Sequence, residues 1–168
     1  MSKRALTKYL QSLDKEELET QILELHSKFK SVRDYYGFVF NPKEESRMEE
    51  ARMRIVKEYF PTNGRKPKAR RSVAQKLIKH FLALELDPTL LSDLMLFNIE
   101  TAIRYNERKP SRQETFYKSI LNSFEQVVEY SMVNGLKAVN QERFNQILDS
   151  VEEQEWMNAE GFERVLIG

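Results

Sequence analysis

Apolar side chains recur along this chain at intervals of three and four residues, the repeat of an amphipathic helix. Ala5, Tyr9 and Leu10 mark a short helix over 3–12, and Leu18, Ile22, Leu25 and Phe29 mark a longer one ending near Ser31. Ahead of the second, Asp14-Lys15-Glu16-Glu17 has the form of a capping box, an acidic N-cap answered by Glu three positions on. The aromatic run Tyr35-Tyr36-Gly37-Phe38-Val39-Phe40 fits a short strand or a helical turn plus an aromatic loop, and with no partner strand in view the loop is the expected form. Asn41-Pro42 then starts a helix that carries Met48, Ala51, Ile55, Val56 and Tyr59 to Phe60, where Pro61 stops it.

The second half repeats the pattern. Ser72 restarts a helix with Val73, Leu77, Phe81 and Leu84, and Asp87-Pro88 starts the next, which runs to about Asn106. Ser111-x-x-Glu114 reads as another capping box, before Phe116, Ile120, Phe124, Val127, Val128 and Met132, with Gly135 as the C-terminal cap. A last helix runs from near Asn140 through Phe144, Ile147 and Val151 to Trp156, followed by a short apolar end at Phe162, Val165 and Leu166. The pattern predicts an all-α protein of about seven helices and no strand. Pairs 15–31 with 42–60, 72–86 with 88–106 and 112–134 with 141–157 follow one another at similar spacing. Short connections make such pairs antiparallel. They suit a curved α-solenoid-like stack of the HEAT or TPR kind, or an irregular helical bundle, since no residue consensus repeats between them.

Composition narrows the class further. With 40% hydrophobic residues and 18 aromatics in 168, the chain has the material for a core, which excludes a disordered chain. No cysteine means no disulfide, zinc–thiolate site or thiol nucleophile. Lys and Arg number 27 against 26 Asp and Glu, a formal net charge of +1, so no polyelectrolyte character covers the whole surface. The charge is nonetheless uneven, with ten basic and five acidic residues in 41–71 against two and seven in 141–168. A basic middle and an acidic end predict salt-sensitive self-contact, within or between copies. The first ten residues carry charge but no apolar run, so no secretory signal is predicted, and the cytoplasm is the expected compartment.

One clear linker interrupts the helices. Residues 62–71 contain Gly64, Pro67 and five basic side chains, and separate an N-terminal helical part, 1–61, from a C-terminal part, 72–168, of a single domain 1–168. Lys3-Arg4-Ala5-Leu6-Thr7-Lys8-Tyr9-Leu10, then Leu13-Asp14-Lys15-Glu16-Glu17-Leu18, the aromatic turn Tyr35-Tyr36-Gly37-Phe38 to Asn41-Pro42, and Glu58-Tyr59-Phe60-Pro61 occur here in that order. Together they resemble a family of small, uncharacterised bacterial helical proteins, catalogued as a domain of unknown function. The resemblance spans nearly the whole chain, implies a bacterial, cytosolic, single-domain protein and transfers no site.

Tests for chemistry find little. His26 and His80 lie on different helices, and neither has a second ligand-type residue three or four positions on, so no helical metal site is predicted. Asn63-Gly64-Arg65-Lys66 lacks the second glycine and the strand of a phosphate loop. Adjacent acids such as Glu16/Glu17, Glu44/Glu45 and Glu152/Glu153 point about 100° apart on a helix and read as solvated surface. No catalytic residue, metal ligand, cofactor, small-molecule substrate or membrane contact is predicted. Two leads remain. Arg65, Lys66, Lys68, Arg70 and Arg71 read as a solvated loop, as a contact for an acidic partner, or as a non-specific phosphate contact. Tyr35, Tyr36, Phe38 and Trp156 read as core plugs or as partner-contact aromatics. The function expected is a non-enzymatic helical protein–protein interaction or scaffold protein, binding a protein partner or itself. The alternative is a nucleic-acid-associated protein that uses the basic loop.

Overall fold

A computed structural model describes residues 2–40, 43–62 and 64–167. Among them are nine helices and no strand: α1 (Lys3–Gln11), α2 (Lys15–Lys28), α3 (Lys30–Phe40), α4 (Glu44–Tyr59), α5 (Arg71–Ala83), α6 (Pro88–Arg108), α7 (Glu114–Val133), α8 (Lys137–Glu153) and α9 (Ala159–Ile167). The chain divides into two compact units, Met1–Lys43 and Glu44–Gly168.

In the first unit α2 packs on α3. The Asp14 capping box forms as expected, with the Glu17 amide donating to the Asp14 carboxylate at 2.8 Å and the Asp14 amide donating to Glu17 at 2.9 Å. The expected helix to Ser31 instead breaks at Phe29, whose backbone is extended at φ −116° and ψ 122°. Arg33 secures that break by donating to the carbonyls of His26 at 2.9 Å and Ser27 at 2.8 Å, two of the unpaired acceptors at the end of α2. The aromatic run is helix α3, which corrects the expected loop. Tyr36 and Phe40 lie one turn apart and stack at 6.1 Å, as residues four apart on a helix can.

In the second unit α6 is the central helix and packs against α4, α5, α7 and α8. α6 is buried on most of its circumference, with Leu91, Leu94, Leu96, Ile99 and Ala102 fully enclosed. Its start is the expected one: Asp87 accepts from the Thr89 amide at 2.8 Å, with Pro88 in the first turn. α4 and α8 run beside α6 in its own direction. Arg52 pairs with Asp93 near the start of α6, while the Tyr59 ring meets Tyr105 near its end at 5.5 Å. Likewise Arg143 reaches Asp93 and Glu100, each at 2.7 Å, while Asn106 donates to Gln154 at 3.0 Å. Phe124, Phe144 and Phe162 close the core between α7, α8 and α9, with centroids 5.7 Å and 5.1 Å apart.

Several helix ends differ from expectation. The start at Asn41-Pro42 lies outside the described residues. α5 begins at Arg71 with no side-chain cap, so Ser72 is not its start. The Ser111–Glu114 box does not form. Ser111 accepts from the Gln113 amide at 3.2 Å, and α7 begins at Glu114 after an uncapped Gln113. α8 begins at Lys137, which leaves Asn140 buried inside it, donating to Ser131 at 3.0 Å. The apolar end is a ninth helix. Gly161 lies under Leu121 of α7, where an added Cβ would meet the leucine methyl at 2.7 Å.

Candidate functional site

The basic segment 62–71 lies inside the second unit, between α4 and α5. It is held to α4 by Glu58. The backbone amides of Lys68 and Ala69 donate to the Glu58 carbonyl at 3.1 and 2.9 Å. The Arg70 guanidinium grips the Glu58 carboxylate at 2.9 and 2.7 Å. That two-point grip holds the Glu58 carboxyl below the ordinary carboxylate range. Arg71 donates to the carbonyls of Thr115 and Phe116. The five predicted bases therefore divide by task. Arg70 and Arg71 fasten the segment, whereas Arg65, Lys66 and Lys68 are exposed and have no ion-pair partner among the described residues.

The three free bases do not stand alone. With Lys57 and the Arg70–Glu58 pair, they line a cleft of about 270 Å³. Lys68 also borders a second cleft of about 580 Å³, whose opposite wall is Lys109, Pro110 and Arg112 from the α6–α7 loop. Tyr105 and Phe116 contribute to the lining of that second cleft. Beyond Tyr105, whose ring is 6.0 Å from Phe60, Arg104 and Arg108 line a third concavity of about 260 Å³. Arg108 lies over the Phe60 ring at 5.2 Å. Glu107 is also exposed at this end, and Glu114 is occupied by Lys118 at 2.8 Å.

The sequence reading missed the second basic loop, although a signal for it exists. Arg-Lys-Pro occurs twice, as Arg65-Lys66-Pro67 and as Arg108-Lys109-Pro110, and the fold brings the two prolines to one cleft. A hub of side-chain hydrogen bonds fixes the second loop. The Ser111 amide donates to Asn106 at 2.9 Å, the Tyr117 hydroxyl donates to the Ser111 carbonyl at 2.8 Å, and Gln154 accepts from both Asn106 and Trp156 at 3.0 Å.

The candidate partner-contact aromatics fare differently from one another. Trp156 is 4% exposed, donates its indole N–H to Gln154, and packs among Phe116, Tyr117 and Phe162. Phe38 is buried too. Neither is a surface anchor, and both readings as partner contacts are corrected to packing. Tyr36 is half-buried, and Tyr35 stays exposed. Tyr35 belongs to a larger set. Phe38 is the one buried residue among the described residues of the first unit, while ten of its large hydrophobic side chains are exposed, with Leu23 at 68% and Phe40 at 82%.

His26 and His80 are exposed on α2 and α5. Among the described residues, no group of three or more His, Asp or Glu side chains is placed to hold a metal ion. No helix of the described residues is long and apolar enough to cross a membrane. In the basic middle, Arg70 pairs with Glu58 of the same stretch at 2.7 Å. Arg52 and Arg143 both turn to Asp93, and the acids of α8 and α9 face solvent.

By fold this is an all-α protein, and its two notable surfaces are the apolar one of the first unit and the basic one of the second. The chain belongs to a family of unknown function, DUF6155, whose model matches residues 1–167. No curated protein and no solved structure matches it.

Proposed function

We propose that this chain is a non-enzymatic helical interaction protein, in which the first unit presents an apolar surface to a protein partner. One observation carries the reading: among its described residues, the first unit, Met1–Lys43, leaves ten large hydrophobic side chains exposed and buries one. Exposed apolar surface at that density is characteristic of a contact face rather than of a monomer's ordinary surface. Aromatic residues enrich such contacts, and Phe29, Tyr35 and Phe40 all belong to this set. Polar groups stand among the apolar ones, as at the rim of an interface: Gln21 donates to the Tyr9 hydroxyl at 2.5 Å, and Lys30 pairs with Asp34 at 2.8 Å. A bacterial, cytoplasmic setting is part of the same proposal.

The test is affinity capture from the native cell with nuclease present, repeated with a chain carrying Leu23→Asp, Phe29→Asp and Phe40→Asp. The partner is then purified and titrated against both chains. A stoichiometric complex that the triple variant weakens roughly tenfold or more supports the reading. Sedimentation equilibrium separates the case in which the partner is a second copy. Identical binding by both chains overturns the reading.

A further inference from the structure

We propose that the cleft between the two Arg-Lys-Pro loops of the second unit binds single-stranded nucleic acid without reading its sequence. The inference is independent of the protein-binding surface on the first unit. Three observations converge on it. The walls of the 580 Å³ cleft carry Lys68 on one side and Lys109 and Arg112 on the other, all exposed and without an ion-pair partner among the described residues. The cationic track continues past this cleft in both directions, to Lys57, Arg65 and Lys66 on one side and to Arg104 and Arg108 on the other. Three concavities linked through Lys68 and Tyr105 suit an extended chain of phosphates better than a single anion.

The third observation separates a nucleic acid from an acidic polypeptide. Tyr105, half-buried, contributes an aromatic ring to the lining between the basic walls. A nucleobase has a π-face to lay on such a ring, worth more than a carboxylate side chain can gain there. Ser111, Arg112 and Gln113 also border this cleft, and phosphate contact and stacking on the Tyr105 ring require no particular base. The loops are ready for this. Arg70 and Arg71 anchor the first through Glu58, Thr115 and Phe116, and the Asn106–Gln154 hub anchors the second. The wall cations therefore lie on backbone that is already fixed, which lowers the ordering cost of binding.

The experiment is fluorescence anisotropy of a labelled oligodeoxythymidine of about 15 nucleotides, a length that covers the site sizes of known single-strand binders. It is titrated with the full chain across a salt series. The plot of log affinity against log salt should be steep for the native chain. In Lys68→Ala/Lys109→Ala/Arg112→Ala the slope should be shallower by about 2, with affinity at low salt reduced roughly tenfold or more. A control with Lys76→Ala, Lys79→Ala and Lys137→Ala removes the same charge from exposed positions outside the track and should bind like the native chain. Circular dichroism confirms that both variants fold. Poly-glutamate at matched charge should displace the oligonucleotide poorly. The proposal is overturned by no binding, by equal losses in the two variants, or by displacement as effective with poly-glutamate as with unlabelled DNA.

Discussion

At the scale of the residue, Tyr59 shows how burial alone sets a property. Its side chain is 2% exposed and its hydroxyl has no hydrogen-bond partner among the described residues. Burial disfavours the phenolate, and the nearby Glu58 and Tyr105 act in the same direction, so that the hydroxyl is pushed up to about 12 despite the opposing charge of Arg71. An unfolded tyrosine releases its proton near pH 10, while the folded one keeps it. The contribution to stability is therefore complete below pH 10 and is lost as the pH rises towards 12, by about 3 kcal/mol at most. In Tyr59→Phe that alkaline loss should disappear, and stability at neutral pH should be unchanged or up to about 1 kcal/mol greater, because no hydrogen bond is removed. Urea melts of both chains from pH 8 to pH 12 check this, and parallel alkaline profiles would refute it. Residue-level legibility in the sequence was mixed for a related reason. Tyr59 and Phe60 were readable as the end of an apolar stripe, but whether Trp156 faced solvent or core depended on Phe116, Tyr117 and Phe162, residues remote from it in sequence or on other elements.

At the scale of the element, three helices of the second unit end in the same way. After α5, α7 and α8 a residue adopts the left-handed conformation: Glu85 at φ 53°, Gly135 at φ 70° and Glu155 at φ 52°. In each case the next amide reaches back five residues. Leu86 donates to Phe81 at 3.3 Å, Leu136 to Ser131 at 2.7 Å and Trp156 to Val151 at 3.0 Å. This is the Schellman arrangement, in which a hydrophobic residue follows the left-handed one. Only Gly135 announced itself in the sequence, because glycine is the residue that takes this conformation without steric cost. The other two ends were not legible, since a glutamate there is tolerated only because the buried Leu86 and Trp156 hold the chain in place. Glu155→Gly should raise stability by about 1 kcal/mol, through relief of the left-handed strain and removal of an acid from the negative end of α8. A thermal melt that shifts downward would count against that account. The same logic explains α3. Its aromatics read as a loop because Gly37 and a dense apolar run obscure the helical repeat, and the break at Phe29 rests on Arg33 and has no capping residue to announce it.

At the scale of the whole molecule, the two units differ in how they are held together. All-α character was legible from periodicity, but a central helix was not. Ser92, Asn98, Thr101 and Asn106 make α6 look polar, although all four are buried. Ser92 and Thr101 satisfy themselves on their own helix, donating to the carbonyls of Thr89 at 3.0 Å and Phe97 at 2.7 Å, so their own burial costs little, whereas the Asn98 side-chain oxygen is buried with no hydrogen-bond partner among the described residues. The twin basic loops were half legible for the same reason: convergence of residues 65–68 and 109–112 needs α6 to carry the second loop to the end of α4. Among the described residues, every buried hydrophobic one except Phe38 belongs to the second unit. The first unit has helices of 9, 14 and 11 residues, lengths at which isolated helices are marginal in water. Its 43 residues are also close to the size below which a chain needs a partner or a staple to fold. A chain of residues 44–168 should therefore unfold in one cooperative thermal transition, while residues 1–43 alone should show little helix by far-ultraviolet circular dichroism. Helix induced in the short chain by the captured partner, and not by oligodeoxythymidine, would assign the two surfaces to two ligands. A broad, non-cooperative melt of residues 44–168 would instead show that the core around α6 depends on the first unit.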